Sequence, residues 1–131
     1  MPPTIQSELL STYLVLVALL FGSFINLARD RVPRRESLVI PRSHCRNCGR
    51  QLNAIDLLPI LGYLLRRGRC ATCRAQIGIS SPLVEAACGA AMMVALLWLG
   101  LWPGALAGLA VIAAAGVGLT TFAVRRRGGA E

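Results

Sequence analysis

Residues 9–28 read "LLSTYLVLVALLFGSFINLA", a run without a single charge. At 1.5 Å rise per residue, a helix of that length covers about 30 Å, the hydrocarbon thickness of a bilayer. The run therefore predicts a membrane-spanning helix. No basic residue precedes it, and Arg29, Arg31, Arg34 and Arg35 follow at once. That order is the reverse of a secretory signal peptide. By the positive-inside rule, residues 1–8 form an extracytoplasmic N-terminus and the Arg-rich segment faces the cytoplasm.

The rest of the chain agrees with a membrane palette. Of its 131 residues 55% are hydrophobic and only 15% charged, and such a length leaves little room for a large soluble enzyme core. A second apolar region, interrupted by "WPG" at 102–104, predicts two further helices, 83–102 and 104–124, joined as a tight hairpin. Trp98 and Trp102 suit a membrane interface, and "RRRGG" from Arg125 returns the 125–131 tail to the cytoplasm. Gly104 and Gly108, followed by Gly116 and Gly118, predict close helix packing within the same chain. The expected fold class is an α-helical, multi-pass integral membrane protein with three transmembrane helices.

Residues 29–82 form the predicted cytoplasmic loop. Between Arg29 and Arg74 lie eleven Arg against three acids, Asp30, Glu36 and Asp56. A basic island flanked by spans predicts contact with a lipid bilayer rich in anionic headgroups. Nucleic-acid binding would need a recognition helix or stacking aromatics, and the sequence offers neither, so no nucleic acid is expected as partner.

The same loop carries Cys45-x2-Cys48 and Cys70-x2-Cys73, separated by 21 residues. Two such knuckles bring four thiolates around one ion, and zinc accepts that tetrahedron. Reduced cytoplasmic thiols make disulfides an unfavoured use. Four thiolates leave no open position for water, so the expected role is structural: a zinc-ribbon-like loop. Gly49 follows the first pair, where a knuckle turns with positive φ, and Arg74 holds the equivalent place after the second, a less ideal residue there. His44 is expected beside the site rather than on the metal, and Cys88 as a small buried hydrophobe. Asp56 is expected to cap a short helix with Pro59 in its first turn. The apolar positions 55–65 are too few to cross a bilayer. They are expected to lie against the membrane surface or over the zinc module, with Arg66 and Arg67 toward water.

Three stretches then carry a resemblance: "FGSFINLARDRVPRRESLVIPRSHCRNCGRQL", "DLLPILGYLLRRGRCATCRAQI" and "SPLVEAACG". In this order, from Phe21 to Gly89, they resemble the N-terminal region of the type IV prepilin leader peptidases of the A24 family. The resemblance implies the bacterial inner (plasma) membrane, and Cys45, Cys48, Cys70 and Cys73 as the zinc-associated set. It implies an aspartic peptidase acting on type IV prepilins and type II secretion pseudopilins, and in many members N-methylation with S-adenosylmethionine. It gives no role for Asp56 or Glu85, although both lie in matching motifs.

The peptidase half is where the chain departs. The resemblance implies one catalytic Asp just after the third span and another in a later Gly-x-Gly-Asp motif, yet "TTFAVRRR" puts Val124 where the first would stand. Aspartic proteolysis needs two carboxyls sharing a proton, and no close pair is evident, so no catalytic residue is assigned and the peptidase half is expected to be missing. For methyl transfer no Gly-rich cofactor loop follows a strand, and the loop is a thin scaffold for a pocket. The expected function is an accessory or split zinc module in pilin processing, working beside a separate membrane aspartic peptidase half. The alternatives are an S-adenosylmethionine-dependent N-methyltransferase of mature pilin and a non-functional truncated remnant.

Overall fold

The computed structural model describes residues 4–129; the outermost residues of both predicted tails, 1–3 and 130–131, lie outside that range. Four helices follow in order: α1 (Ile5–Arg31), the short α2 (Leu61–Leu65), α3 (Ser80–Leu99) and α4 (Leu101–Gly128), with a 3-10 turn over Val32–Arg34. No named strand occurs among the described residues. α1, α3 and α4 are each long and apolar enough to cross a membrane, and all three touch one another as a bundle.

Both α1 and α4 run past the uncharged stretches that announce them. In α1 the first turn holds Glu8 and the last holds Arg29 and Arg31; in α4 the last turn holds Arg125, Arg126 and Arg127. Acids near a helix start and bases near its end complement the backbone dipole, so the helical turns continue into the headgroup zone.

The turn between α3 and α4 falls at Gly100, with φ 80° and ψ 179°, two residues before the Trp-Pro-Gly triplet. A side chain would strain that positive φ, and the preceding leucine-rich turn supplies Leu96, whose carbonyl accepts the Gly100 N–H at 3.0 Å. Pro103 is then the third residue of α4. Its missing N–H costs nothing in a first turn, where no intrahelical acceptor exists.

The core is narrow: Ala18, Ile25, Cys88, Met92 and Ile112, with Leu14, Val15, Val84, Leu96 and Leu119 packed around them. Large side chains such as Leu16, Leu20, Leu97 and Val117 point outward. In water this surface would aggregate. In lipid it is the solvated surface, and close backbone packing holds the helices together instead. A Cβ on Gly22 would lie 2.6 Å from the Glu85 Cα, and one on Gly104 would lie 2.6 Å from the Ala95 carbonyl oxygen. Gly108 meets Met92 and Gly116 meets Ile25, whereas Gly118 faces open space. Three of the four glycines of α4 singled out in sequence thus pack within the chain.

α1 also starts the loop. The buried Arg31 guanidinium donates to the carbonyls of Ser37 at 2.7 Å and Pro41 at 2.8 Å. It folds the outgoing chain back over the bundle end and directs it to the first knuckle.

Candidate metal centre

The two knuckles are the same structure built twice, 25 positions apart. In the first, the Cys45 N–H donates to the Arg50 carbonyl at 2.8 Å and the Gly49 N–H to the Cys45 carbonyl at 2.9 Å. In the second, the Cys70 N–H donates to the Ala75 carbonyl at 2.9 Å and the Arg74 N–H to the Cys70 carbonyl at 3.2 Å. Antiparallel bridges close both, His44 with Gln51 and Arg69 with Gln76. The outer bonds match too: Leu52 N–H to Ser43 carbonyl at 2.9 Å, and Ile77 N–H to Gly68 carbonyl at 2.7 Å. Gly49 turns with φ 72°, and Arg74 occupies the equivalent backbone state with φ 60°.

This geometry presents all four sulfurs to one point. The Sγ atoms of Cys45, Cys48, Cys70 and Cys73 lie within 4.8 Å of one another. Cys45 to Cys73 is 3.7 Å and Cys48 to Cys70 is 3.9 Å. Those separations are far beyond a disulfide's bond length of about 2.0 Å. A tetrahedral ion with metal–sulfur bonds of about 2.3 Å needs edges of about 3.8 Å. The cluster could hold a metal ion without rearranging its backbone.

The knuckle backbones also favour thiolates. The Cys73 and Thr72 N–H groups bring the Cys70 thiol down to about 6, against burial that opposes it. The Asn47 side chain and the Ala75 N–H lower Cys73. Cys48 receives the matching Arg50 N–H, but burial and its three neighbouring thiols push it up to about 11. A cation in the middle reverses that crowding, because the neighbours then share its charge rather than repel one another. His44 stays out of the cluster, its Nδ1 donating to the Arg42 carbonyl at 3.0 Å.

Asp56 does not cap a helix, contrary to the sequence expectation. α2 begins after Ile60 and has no side-chain cap. Asp56 instead closes a turn with Asn53: its N–H donates to Asn53 Oδ1 at 3.0 Å, and its Oδ2 accepts the Asn53 N–H at 3.2 Å. Arg66 Nε donates to it at 2.6 Å and Arg50 Nη2 at 2.9 Å. Burial alone would raise this carboxyl. Arg66, the Asn53 N–H and Arg50 outweigh burial and hold it below the ordinary carboxylate range. Because Arg50 adjoins both Asp56 and Cys70, this ion-pair turn ties the cysteine cluster to α2. A second network joins the ends of the loop: Arg46 pairs with Asp30 at the end of α1 and reaches Glu36 at 3.8 Å.

Glu85 gains a contact that sequence reasoning left without a role. Buried in α3, it accepts the Ile60 N–H at 2.7 Å and the Ser81 hydroxyl at 3.0 Å. Ile60 has φ 59° and ψ −50°, and the Leu61 N–H turns back to the Pro59 carbonyl. This is a positive-φ γ-turn, a strained conformation for a β-branched residue, so the Glu85 carboxylate stakes down a turn that would otherwise relax. Below the knuckles a cavity of about 840 Å³ opens between the loop and the ends of α1 and α3. Asn26 Oδ1 and Arg50 Nη1 are buried on its wall without hydrogen-bond partners.

Fold and site together define a class: a membrane-anchored helical bundle whose loop is a paired-knuckle, four-cysteine module that could hold a metal ion. Residues 16–99 match the model of the Bacterial Peptidase A24 N-terminal domain, and the chain belongs to that family. It is 44% identical over 87 residues to a prepilin leader peptidase/N-methyltransferase of Burkholderia pseudomallei strain 1026b, covering 66% of this chain and 28% of that protein. The protein of that description from Myxococcus xanthus is 39% identical over 83 residues, or 63% of this chain and 25% of its own length. The one from Bacillus subtilis strain 168 is 38% identical over 72 residues, or 55% and 29%. The chain thus spans about a quarter to a third of the length of these relatives. No solved structure matches it.

Proposed function

We propose that this chain is the zinc-stapled N-terminal module of pilin processing, anchored in the bacterial inner membrane with its N-terminus outside and its knuckles in the cytoplasm. One observation carries the reading: four sulfurs at tetrahedral spacing inside the family-matching region. All-sulfur ligation leaves no position for a reacting water, so zinc here holds the loop's shape and performs no chemistry itself. Among the described residues, the loop and α3 carboxylates are each held in other contacts and form no aspartic dyad. Asp56 is bound to two arginines, Glu85 holds the Ile60 turn, and Asp30 and Glu36 pair with Arg46. Cleavage of type IV prepilins or type II secretion pseudopilins therefore belongs to a peptidase unit outside these residues. The module supports that unit by presenting a rigid cytoplasmic face beside the membrane.

The decisive experiment purifies the tagged chain from membranes in mild detergent, measures its metal content, and identifies what accompanies it. The reading expects about one zinc per chain with sulfur-only ligation by X-ray absorption, and a membrane aspartic peptidase in the same complex. A metal-free, folded chain overturns the zinc assignment. Absence of any peptidase overturns the accessory role and favours a non-functional remnant.

A second reading, S-adenosylmethionine-dependent N-methylation of mature pilin, is favoured by the cavity. Its volume lies in the usual range for small-molecule sites, and it draws on the helix ends as well as the loop that looked too thin to form one. Calorimetric titration of the zinc-loaded chain with S-adenosylmethionine tests it, and absence of binding removes it.

A further inference from the structure

The leucines of α2 and of the turn before it are left largely uncovered by the rest of the chain. Leu58, Leu61, Leu64 and Leu65 are all exposed, the last two by 61% and 65%. Gly62 turns inward instead, its backbone against the Ile55 and Asp56 carbonyls. α2 therefore shows solvent an apolar face on a strongly basic loop that also exposes Val39 and Ile40.

Its depth along the bundle is fixed by one hydrogen bond. The Ile60 N–H sits on the Glu85 carboxylate, which also accepts the Ser81 hydroxyl four residues nearer the start of α3, so the γ-turn lies beside the opening turns of that helix. Glu85 is opposite Gly22 of α1, which lies seven residues before Arg29, the first charge after the span. That is about 10 Å of helix on the apolar side of Arg29. The loop has thus bent back beside the membrane spans, and the strained Ile60 turn is what holds it there. Beyond α2 the charge changes abruptly. Arg67 and Arg69 have no acidic partner within ion-pair distance among the described residues.

We infer that α2 and the turn before it form an interfacial lipid-docking element, with the leucine face in the headgroup–acyl boundary of the membrane that α1, α3 and α4 cross. Amphipathic elements sink about 5–10 Å into that boundary, which agrees with the depth of the Ile60 turn. Arg67 and Arg69 lie on the water side and meet anionic phosphates. The Ile60–Glu85 bond ties this surface to α3, whose starting end also exposes Ile79 and Leu83, so the membrane that α3 crosses is the occupant that meets it. Glu85 and Ile60 set its depth, and the knuckles ride above it.

The test uses the full chain in phosphatidylcholine/phosphatidylglycerol vesicles, with Trp98→Phe and Trp102→Phe removing native fluorescence. Leu64→Trp and, independently, Leu65→Trp report on the leucine face, and Thr72→Trp at the tip of the second knuckle reports the aqueous limit. Unchanged metal content identifies folded samples. The two leucine-site probes are expected to lose most of their fluorescence to lipids brominated near the headgroup and to resist iodide, with Thr72→Trp behaving oppositely. Iodide quenching of both leucine-site probes to the level of Thr72→Trp overturns the inference. Shielding of both from iodide and from brominated lipid also overturns it, because a protein surface, such as a second copy of the chain, then covers the face. Neither outcome depends on which metal binds or on any enzymatic activity.

Discussion

The second knuckle carries a defect that substitution should repair. Arg74 has φ 60°, in the state where the first knuckle places Gly49 at φ 72°. A left-handed backbone costs a non-glycine residue about 1–2 kcal/mol. Glycine returns about 0.5–1 kcal/mol of that through the extra entropy it loses on folding. Arg74 is exposed and enters no ion pair among the described residues, so little else is lost with its side chain. Arg74→Gly should therefore stabilise the knuckle by about 0.5–1 kcal/mol. Metal binding and loop folding are coupled, so the gain appears as about two- to five-fold tighter metal affinity. Gly49→Ala is the mirror experiment. Its Cβ would meet nothing within 4 Å, leaving only the net backbone cost of about 0.5–1 kcal/mol, and affinity should fall by about two- to five-fold. The double variant should bind between the two single variants, and its departure from their sum measures the coupling of the two turns through the shared cluster. The assay is competition between the detergent-solubilised chain and a fluorescent zinc chelator. If Arg74→Gly binds metal no tighter while Gly49→Ala weakens it, backbone strain is not what distinguishes the knuckles, and the reasoning fails.

Other outcomes follow from the same geometry. Cys45→Ser with Cys73→Ser removes the 3.7 Å sulfur pair and should abolish metal binding and loosen the loop, read by metal analysis and hydrogen exchange. Gly22→Ala drives a Cβ to 2.6 Å from the Glu85 Cα, so α1 and α3 must separate. A loss of about 1–3 kcal/mol in thermal unfolding is expected, whereas Gly118→Ala, facing open space, should be neutral or slightly stabilising. Asp56→Asn weakens two charge-assisted hydrogen bonds and should cost about 1–3 kcal/mol at neutral pH. The folded carboxyl is held low, so the advantage of Asp over Asn is complete above the ordinary carboxylate value of about 4 and disappears as pH falls below it. Denaturation of metal-free parent and variant from neutral pH to about pH 3 measures the difference.

Much of this protein is legible along the chain because membranes and metals impose local rules. A run of residues without charge must form its own backbone hydrogen bonds in lipid, so two such runs, the second long enough to cross twice and broken by Trp-Pro-Gly, announce three helices. Paired cysteines with two residues between them announce a four-sulfur cluster that could hold a metal ion, because the knuckle is a local turn and its sulfurs are neighbours. Even the weakness at Arg74 can be read by aligning it with Gly49. What the tertiary structure alone decided concerns contacts between residues far apart in sequence. The hairpin turns at Gly100 because backbone dihedral and close packing, not hydropathy, select the turn, and Pro103 is harmless inside a first helical turn. Asp56 looked like a helix cap because caps are local, yet its charge is claimed by Arg50 and Arg66. Glu85 lies in a family-matching motif, yet its role was not legible along the chain, since its partner is a main-chain N–H 25 residues away. Only folding brings that amide to a buried carboxylate, and with it sets how deep the loop sits beside the bundle.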